Sequence, residues 1–210
     1  MKFFKAVFCL LISFSLTCTA QQSSMSSKGQ PVTDTISDSY DKILTRLEQQ
    51  AVDKNTDNLG TLLGEIDFRV KTNNLADYED GFVPHVEMEQ PDISNLIDKD
   101  QIVIPKKITV IIDYPLTNEY RFTLASATGF TREQLVRAIS DHYHKLYQDE
   151  EASATIKTIP VNERKTVYNR NQTNGKYRIW GHDISDLVLA SVLVYKSADG
   201  TILLSLNIES

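Results

Sequence analysis

A histidine beside a carboxylate is the simplest way for a chain to hold a general base near neutral pH. The stretch Trp180-Gly181-His182-Asp183-Ile184-Ser185-Asp186 carries such a pair on a turn, which makes His182 and Asp183 the candidate acid/base residues. A structural reading competes with this one: Asp183 can cap a helical turn with Asp186 at its third position, while Trp180 roofs the core. Ser185 is a poor nucleophile, because no Gly-x-Ser-x-Gly elbow surrounds it. Of the other histidines, His142 and His144 suggest a metal pair only until helix geometry is applied. At about 100° per residue they point roughly 200° apart, so one ion cannot take both. His142 falls on an apolar stripe and reads as a hydrogen-bonded core histidine, and His144 as exposed. Asp77-Tyr78-Glu79-Asp80-Gly81 hints at a calcium loop, but Ala76 and Tyr78 occupy positions where that loop needs acids or amides. Phosphate-loop, dinucleotide, zinc-protease and Cys-x-x-Cys patterns do not occur, so the expectation is no cofactor and no metal.

The second candidate is electrostatic. The chain has a formal net charge of −6, yet between residues 163 and 178 five basic residues face one acid. Arg164, Lys165, Arg170, Tyr177, Arg178 and Trp180 are therefore the candidate ligand-binding residues, with Tyr168 among them in the same loop. Cations interleaved with aromatic rings suit an acidic or glycan-like ligand, or another protein of the cell envelope. The overall acidic balance argues against nucleic acid, which needs a basic footprint.

The N-terminus sets the compartment. Lys2 and Lys5 followed by the apolar run 6–16 read as a signal peptide over residues 1–20, too short to span a bilayer. Two processing readings stand side by side. Cys18-Thr19-Ala20 before Gln21 has the small residues that ordinary cleavage needs. Alternatively, Ser15-Leu16-Thr17-Cys18 resembles a degenerate lipobox, which would leave Cys18 lipidated and give the protein its membrane attachment. Either way the chain is expected outside the cytoplasm: periplasmic, extracellular or lipid-anchored to the envelope. Both cysteines, Cys9 and Cys18, fall in this segment, so stability must come from a packed core.

The positioning elements follow from periodicity. Residues 21–36 read as a disordered tether. Residues 37–72 read as a helical pair, the first helix carrying Tyr40, Ile43, Leu44, Leu47 and Ala51 on one stripe. The second is weaker, carrying Leu59, Leu62, Leu63, Ile66 and Val70 despite Gly60 and Gly64. Residues 73–105, rich in acids with Pro84 and Pro91, read as an irregular connector. Residues 106–210 then form an α+β domain. Alternating runs at 108–114 and 119–126 make one hairpin, and those at 187–195 and 201–208 make another. Between the hairpins, the Thr131–Gln134 capping box opens the strongest helix of the chain, with Leu135, Ile139, His142, Tyr143 and Leu146 on its stripe and its end near 149–152. Hairpin, helix, hairpin packs as one helix across a four-stranded sheet whose first and last strands lie parallel at the centre. This order resembles the β-grasp arrangement, a topological likeness that implies no activity. The doubly apolar strand from Leu187 fits it poorly at an edge unless the N-terminal helices cover it. Function then reads as an exported, non-enzymatic binding or interaction protein using the basic aromatic loop 164–183. The alternative is a small envelope hydrolase built on His182 and Asp183.

Overall fold

The computed structural model describes residues 42–49, 56–105, 107–165 and 170–210. The signal peptide, Cys18, the tether, Tyr168 and both ends of the first expected helix lie outside the described residues. Residues 42–49 are helical (α1), and Leu44 on this helix is buried.

The chain is α+β, with one sheet taking strands from both sides of residue 105. Its main strands are β1 (Thr61–Asp67), β6 (Lys107–Ile112), β7 (Tyr120–Ala125), β9 (Val188–Lys196) and β10 (Ile202–Glu209). They lie in the order β1-β9-β10-β6-β7. Neighbours pair antiparallel except β10 and β6, which run parallel with Leu203 opposite Thr109 and Ser205 opposite Ile111. Four short strands lie between β1 and β6. These are β2 (Val70–Lys71), which pairs with β3 (Phe82–Val83), β4 (Val86–Glu87), which pairs with the start of β9, and β5 (Ile102–Ile104), which pairs with β8 (Phe130–Thr131).

The expected helix over 59–70 is corrected by this arrangement: residues 61–67 are a strand. The apolar spacing that suggests a helical stripe is misleading, because Leu62 and Leu63 are 53% and 56% exposed. Two glycines already cost a helix about 1 kcal/mol each. Gly60 takes φ +110°, and a Cβ there would collide with the Lys196 carbonyl. The larger cause is tertiary. β9 is apolar on both faces and would leave a row of unpaired backbone groups if it stood at the edge. β1 and β4 pair along that edge, so β9 becomes an inner strand. The segment 73–105, read as an irregular connector, also enters the core: Val86, Met88, Ile93 and Leu96 are buried.

The main helix, α2 (Arg132–Ser153), begins at the capping box. The Thr131 hydroxyl accepts from Gln134 N at 3.2 Å, and Thr131 N donates to Gln134 Oε1 at 3.0 Å. Its buried face of Leu135, Val136, Ile139, Tyr143 and Leu146 lies on a sheet face built by Ile108, Val110, Ile112, Val192, Val194 and Leu204. A smaller cluster of Ile111, Tyr195 and Leu203 occupies the opposite face. His142 lies on the border of the stripe, stacked on Phe122 with ring centroids 3.5 Å apart, and its Nδ1 is 2.7 Å from the Tyr120 hydroxyl. His144 points elsewhere, to the Glu89 carbonyl at 2.9 Å.

Candidate functional site

The connection from α2 to β9 contains every candidate site residue of the sequence analysis apart from Cys18, and it is held from below by one side chain. Glu150 sits one turn beyond Leu146 on the buried face of α2 and is fully buried. Its Oε1 accepts from the Thr173 hydroxyl at 2.5 Å and Gly175 N at 2.8 Å, and its Oε2 from Tyr177 N at 2.6 Å and Arg178 N at 3.1 Å. Burial alone would raise the Glu150 pKa. The hydrogen bonds from Thr173, Tyr177, Gly175 and Arg178 outweigh it, so the carboxyl lies below its ordinary value. Gly175 is required by closeness: an added Cβ would lie 2.6 Å from the Glu150 carbonyl and 2.7 Å from Ser153 Oγ.

Two asparagines pin the outer part of the segment. Asn174 Oδ1 accepts from Thr155 N at 3.0 Å and Ile156 N at 2.7 Å. Asn171 Oδ1 accepts from Ile159 N at 2.8 Å, while its Nδ2 donates to the Lys157 carbonyl at 3.0 Å. Glu151 Oε2 accepts from both the backbone and the hydroxyl of Thr158.

The basic residues divide sharply. Arg170 is 2% exposed. Its Nη2 donates to Thr158 Oγ1 at 2.6 Å, its Nε lies 3.7 Å from Asp183 Oδ1, and its guanidinium sits 5.3 Å from the Tyr147 ring centroid. Arg164 grips the same carboxylate through both nitrogens, Nη1 to Oδ2 at 2.5 Å and Nη2 to Oδ1 at 3.0 Å, a bidentate geometry that adds direction as well as energy. These two arginines therefore face inward, on Asp183. Tyr177 and Trp180 are also buried, as part of the core. Lys165 and Arg178 remain exposed, as does Lys176, whose ammonium lies 4.9 Å from the Tyr177 ring centroid. Arg178 holds a left-handed backbone at φ +55°.

His182 is separated from the carboxylate next to it in sequence. Asp183 starts the turn Ile184–Asp186, with Asp183 N donating to Asp186 Oδ2 at 2.8 Å, and its own carboxylate is taken up by Arg164 and Arg170. The imidazole sits instead beside Tyr114 and Trp180, with ring centroids 5.5 and 5.9 Å away. His182 Nε2 lies 3.5 Å from Ser210 Oγ and 3.6 Å from Glu48 Oε1 on α1. Tyr147 donates to the His182 carbonyl at 2.8 Å, and Tyr114 shares a 2.8 Å hydrogen bond with the Ser210 hydroxyl. Burial lowers the His182 pKa against the opposing pull of Glu48, Asp186 and Asp183, which favours the neutral ring. Serine and carboxylate meet the same nitrogen, whereas a catalytic relay needs one on each side of the ring.

Sequence reasoning passed over Glu150, Asn171, Asn174 and Tyr114. Glu150 had a signal: the stripe Leu135, Ile139, Tyr143, Leu146 continues onto it, and an acid at an apolar position is informative. Among the described residues no group of three or more His, Cys, Asp or Glu side chains is placed to hold a metal ion, and no helix is long and apolar enough to cross a membrane. Comparison with protein-family models, curated proteins and solved structures found no match to the chain.

Proposed function

We propose that this chain is an exported, non-enzymatic binding or interaction protein whose contact surface lies on the braced segment between α2 and β9. A β-grasp-like core of hairpin, helix and hairpin, extended by β1, would serve as its scaffold. The observation that carries the reading is the orientation of Asp183, whose carboxylate faces Arg164 and Arg170 instead of the imidazole of its sequence neighbour His182. The segment is thus built to hold a shape. An interface that is ordered before its partner arrives avoids the entropic cost of ordering on binding. The exposed cations Lys165, Lys176 and Arg178 remain as the contact set for an acidic or glycan-like ligand or an envelope protein. Lys176→Glu with Arg178→Glu should lower affinity for an acidic polysaccharide by about tenfold or more, the equivalent of one or two lost charge-assisted contacts. Affinity should also fall with added salt. Unchanged affinity in the double variant would remove this surface from the reading.

A second reading, a small envelope hydrolase, rests on the 3.5 Å approach of Ser210 Oγ to His182 Nε2. It requires a hydrolytic activity that His182→Ala and Ser210→Ala each abolish. Activity surviving either substitution would exclude it.

A further inference from the structure

Asn174-Gly175 is the one place in the chain where an asparagine precedes a glycine. That pair carries a chemistry of its own. The glycine's backbone nitrogen can attack the asparagine side-chain carbonyl, because glycine has no Cβ to shield it. Gly175 N would give up its proton and bond to Asn174 Cγ, the Cγ–Nδ2 bond would break, and the proton would leave with Nδ2 as ammonia. Water then opens the resulting succinimide ring on either side. One opening leaves aspartate. The other leaves isoaspartate, whose main chain runs through Cγ and is longer by a methylene. No oxidant and no second protein is needed.

The folded segment withholds what this attack requires. Asn174 is exposed, so water reaches it and exclusion of solvent plays no part. Its amide is fixed instead by three hydrogen bonds: Oδ1 accepts from Thr155 N at 3.0 Å and Ile156 N at 2.7 Å, and Nδ2 donates to Thr155 Oγ1 at 2.8 Å. Ring closure needs the side chain and the following peptide to rotate together, and rotation would break all three. Gly175 N is spent too. It donates to Glu150 Oε1 at 2.8 Å, and a carboxylate opposes the negative charge that the nitrogen would take on losing its proton. Gly175 has no room to swing, because the Glu150 carbonyl and Ser153 Oγ crowd the place where its Cβ would stand. The two donors on Oδ1 polarise the amide, which favours attack, but with Gly175 N held on Glu150 that polarisation has nothing to act on.

We infer that Asn174-Gly175 is a deamidation site guarded by the fold, silent while the segment between α2 and β9 is braced and released when that segment comes off the end of α2. The change is one-way. After Gly175, Lys176 N donates to Ser153 Oγ at 2.9 Å, and Tyr177 N and Arg178 N donate to Glu150 Oε2. An added methylene just before Gly175 carries these amides out of register with α2, so an isoaspartyl chain does not brace again. The inference holds whichever partner the segment meets.

The test incubates the full chain at neutral pH, folded and in denaturant, and follows the peptide that contains Asn174 by mass spectrometry, with isoaspartate resolved by chromatography. The denatured chain should deamidate like a free peptide of the same sequence. The folded chain should do so about tenfold to a hundredfold more slowly, the penalty for holding reacting atoms away from productive geometry. Glu150→Gln, which takes the charge off Gly175 N, should bring the folded rate toward the denatured one. Thr155→Val should do the same by freeing Nδ2, and Thr155 is exposed, so this variant leaves the core intact. Both are read while β9 and β10 keep their amide protection. A folded rate equal to the denatured one would overturn the inference. A faster folded rate would also overturn it, by making the donors on Oδ1 an activating device. A slow rate that neither variant raises would remove these contacts as the guard. After refolding, isoaspartyl chains should exchange the amides of Tyr177 and Arg178 faster than unmodified chains in the same sample, and equal exchange would overturn the one-way step.

Discussion

Arg170→Glu is expected to destabilise the fold by at least about 3–5 kcal/mol, the cost of leaving a buried ion pair without its partner. Arg170 is 2% exposed, between Asp183, Thr158 and the Tyr147 ring. The new carboxylate would face Asp183 and approach Glu151 from a buried position. Because a domain's whole margin is about 5–15 kcal/mol, the variant should be largely unfolded or recovered at low yield. Arg178→Glu, an exposed change in the same segment, should stay within about 0.5 kcal/mol. Denaturant unfolding of both variants checks the pair. Equal, small losses would mean that Arg170 is not held inside. The contrast also bears on the reading of charge from sequence, which treats the two arginines alike.

Glu150→Ala is expected to cost about 3–5 kcal/mol, since each buried donor deprived of its acceptor costs about 1–3 kcal/mol. The amides of Gly175, Tyr177 and Arg178 would lose theirs, and the Thr173 hydroxyl would keep only the Ile179 carbonyl at 3.2 Å. Glu150→Gln keeps the shape but sets an NH₂ group against N–H donors, so it should recover only part of the loss. The carboxyl is depressed in the folded state, from an ordinary value of 4.5. Its contribution is therefore present in full above that value and is lost as the pH falls through the lower, folded one. Wild-type stability should show this acid limb, and Glu150→Gln should show a shallower one. Parallel acid limbs in the two proteins would mean that Glu150 is not the acceptor.

The elements that could be read from the sequence are those whose signal is local. The Thr131 and Gln134 box opens α2 because both halves of the cap lie within four residues. The turn Ser197–Gly200 and the alternation on either side of it give β9 and β10 in the same way. What could not be read depends on partners distant in the chain. Leu62, Leu63 and Ile66 repeat at a helical spacing, and only the unpaired edge of β9 makes strand the better state for residues 61–67. The doubly apolar character of β9 held that information, since a strand covered on both faces belongs inside a sheet.

The candidate site was less legible. Counting charge between residues 163 and 178 located the segment but gave no side-chain direction, so Arg164 and Arg170 were counted with Arg178 although they face Asp183. Adjacency misled in the same way for His182 and Asp183, because successive residues around a turn diverge. Asn171 and Asn174 carry no local sequence signal of the amides they bind. Their role depends on amides at Thr155, Ile156 and Ile159, which only the folded chain brings near.

Backbone hydrogen exchange, read amide by amide, tests most directly whether the segment between α2 and β9 is a braced platform. The amides of Ile156, Ile159, Gly175 and Tyr177 are bonded to the side chains of Asn174, Asn171 and Glu150. They should open with free energies close to those of the sheet, where local and global unfolding converge. Exchange of these four amides at the rate of an unstructured peptide, with β9 and β10 still protected, would contradict the account.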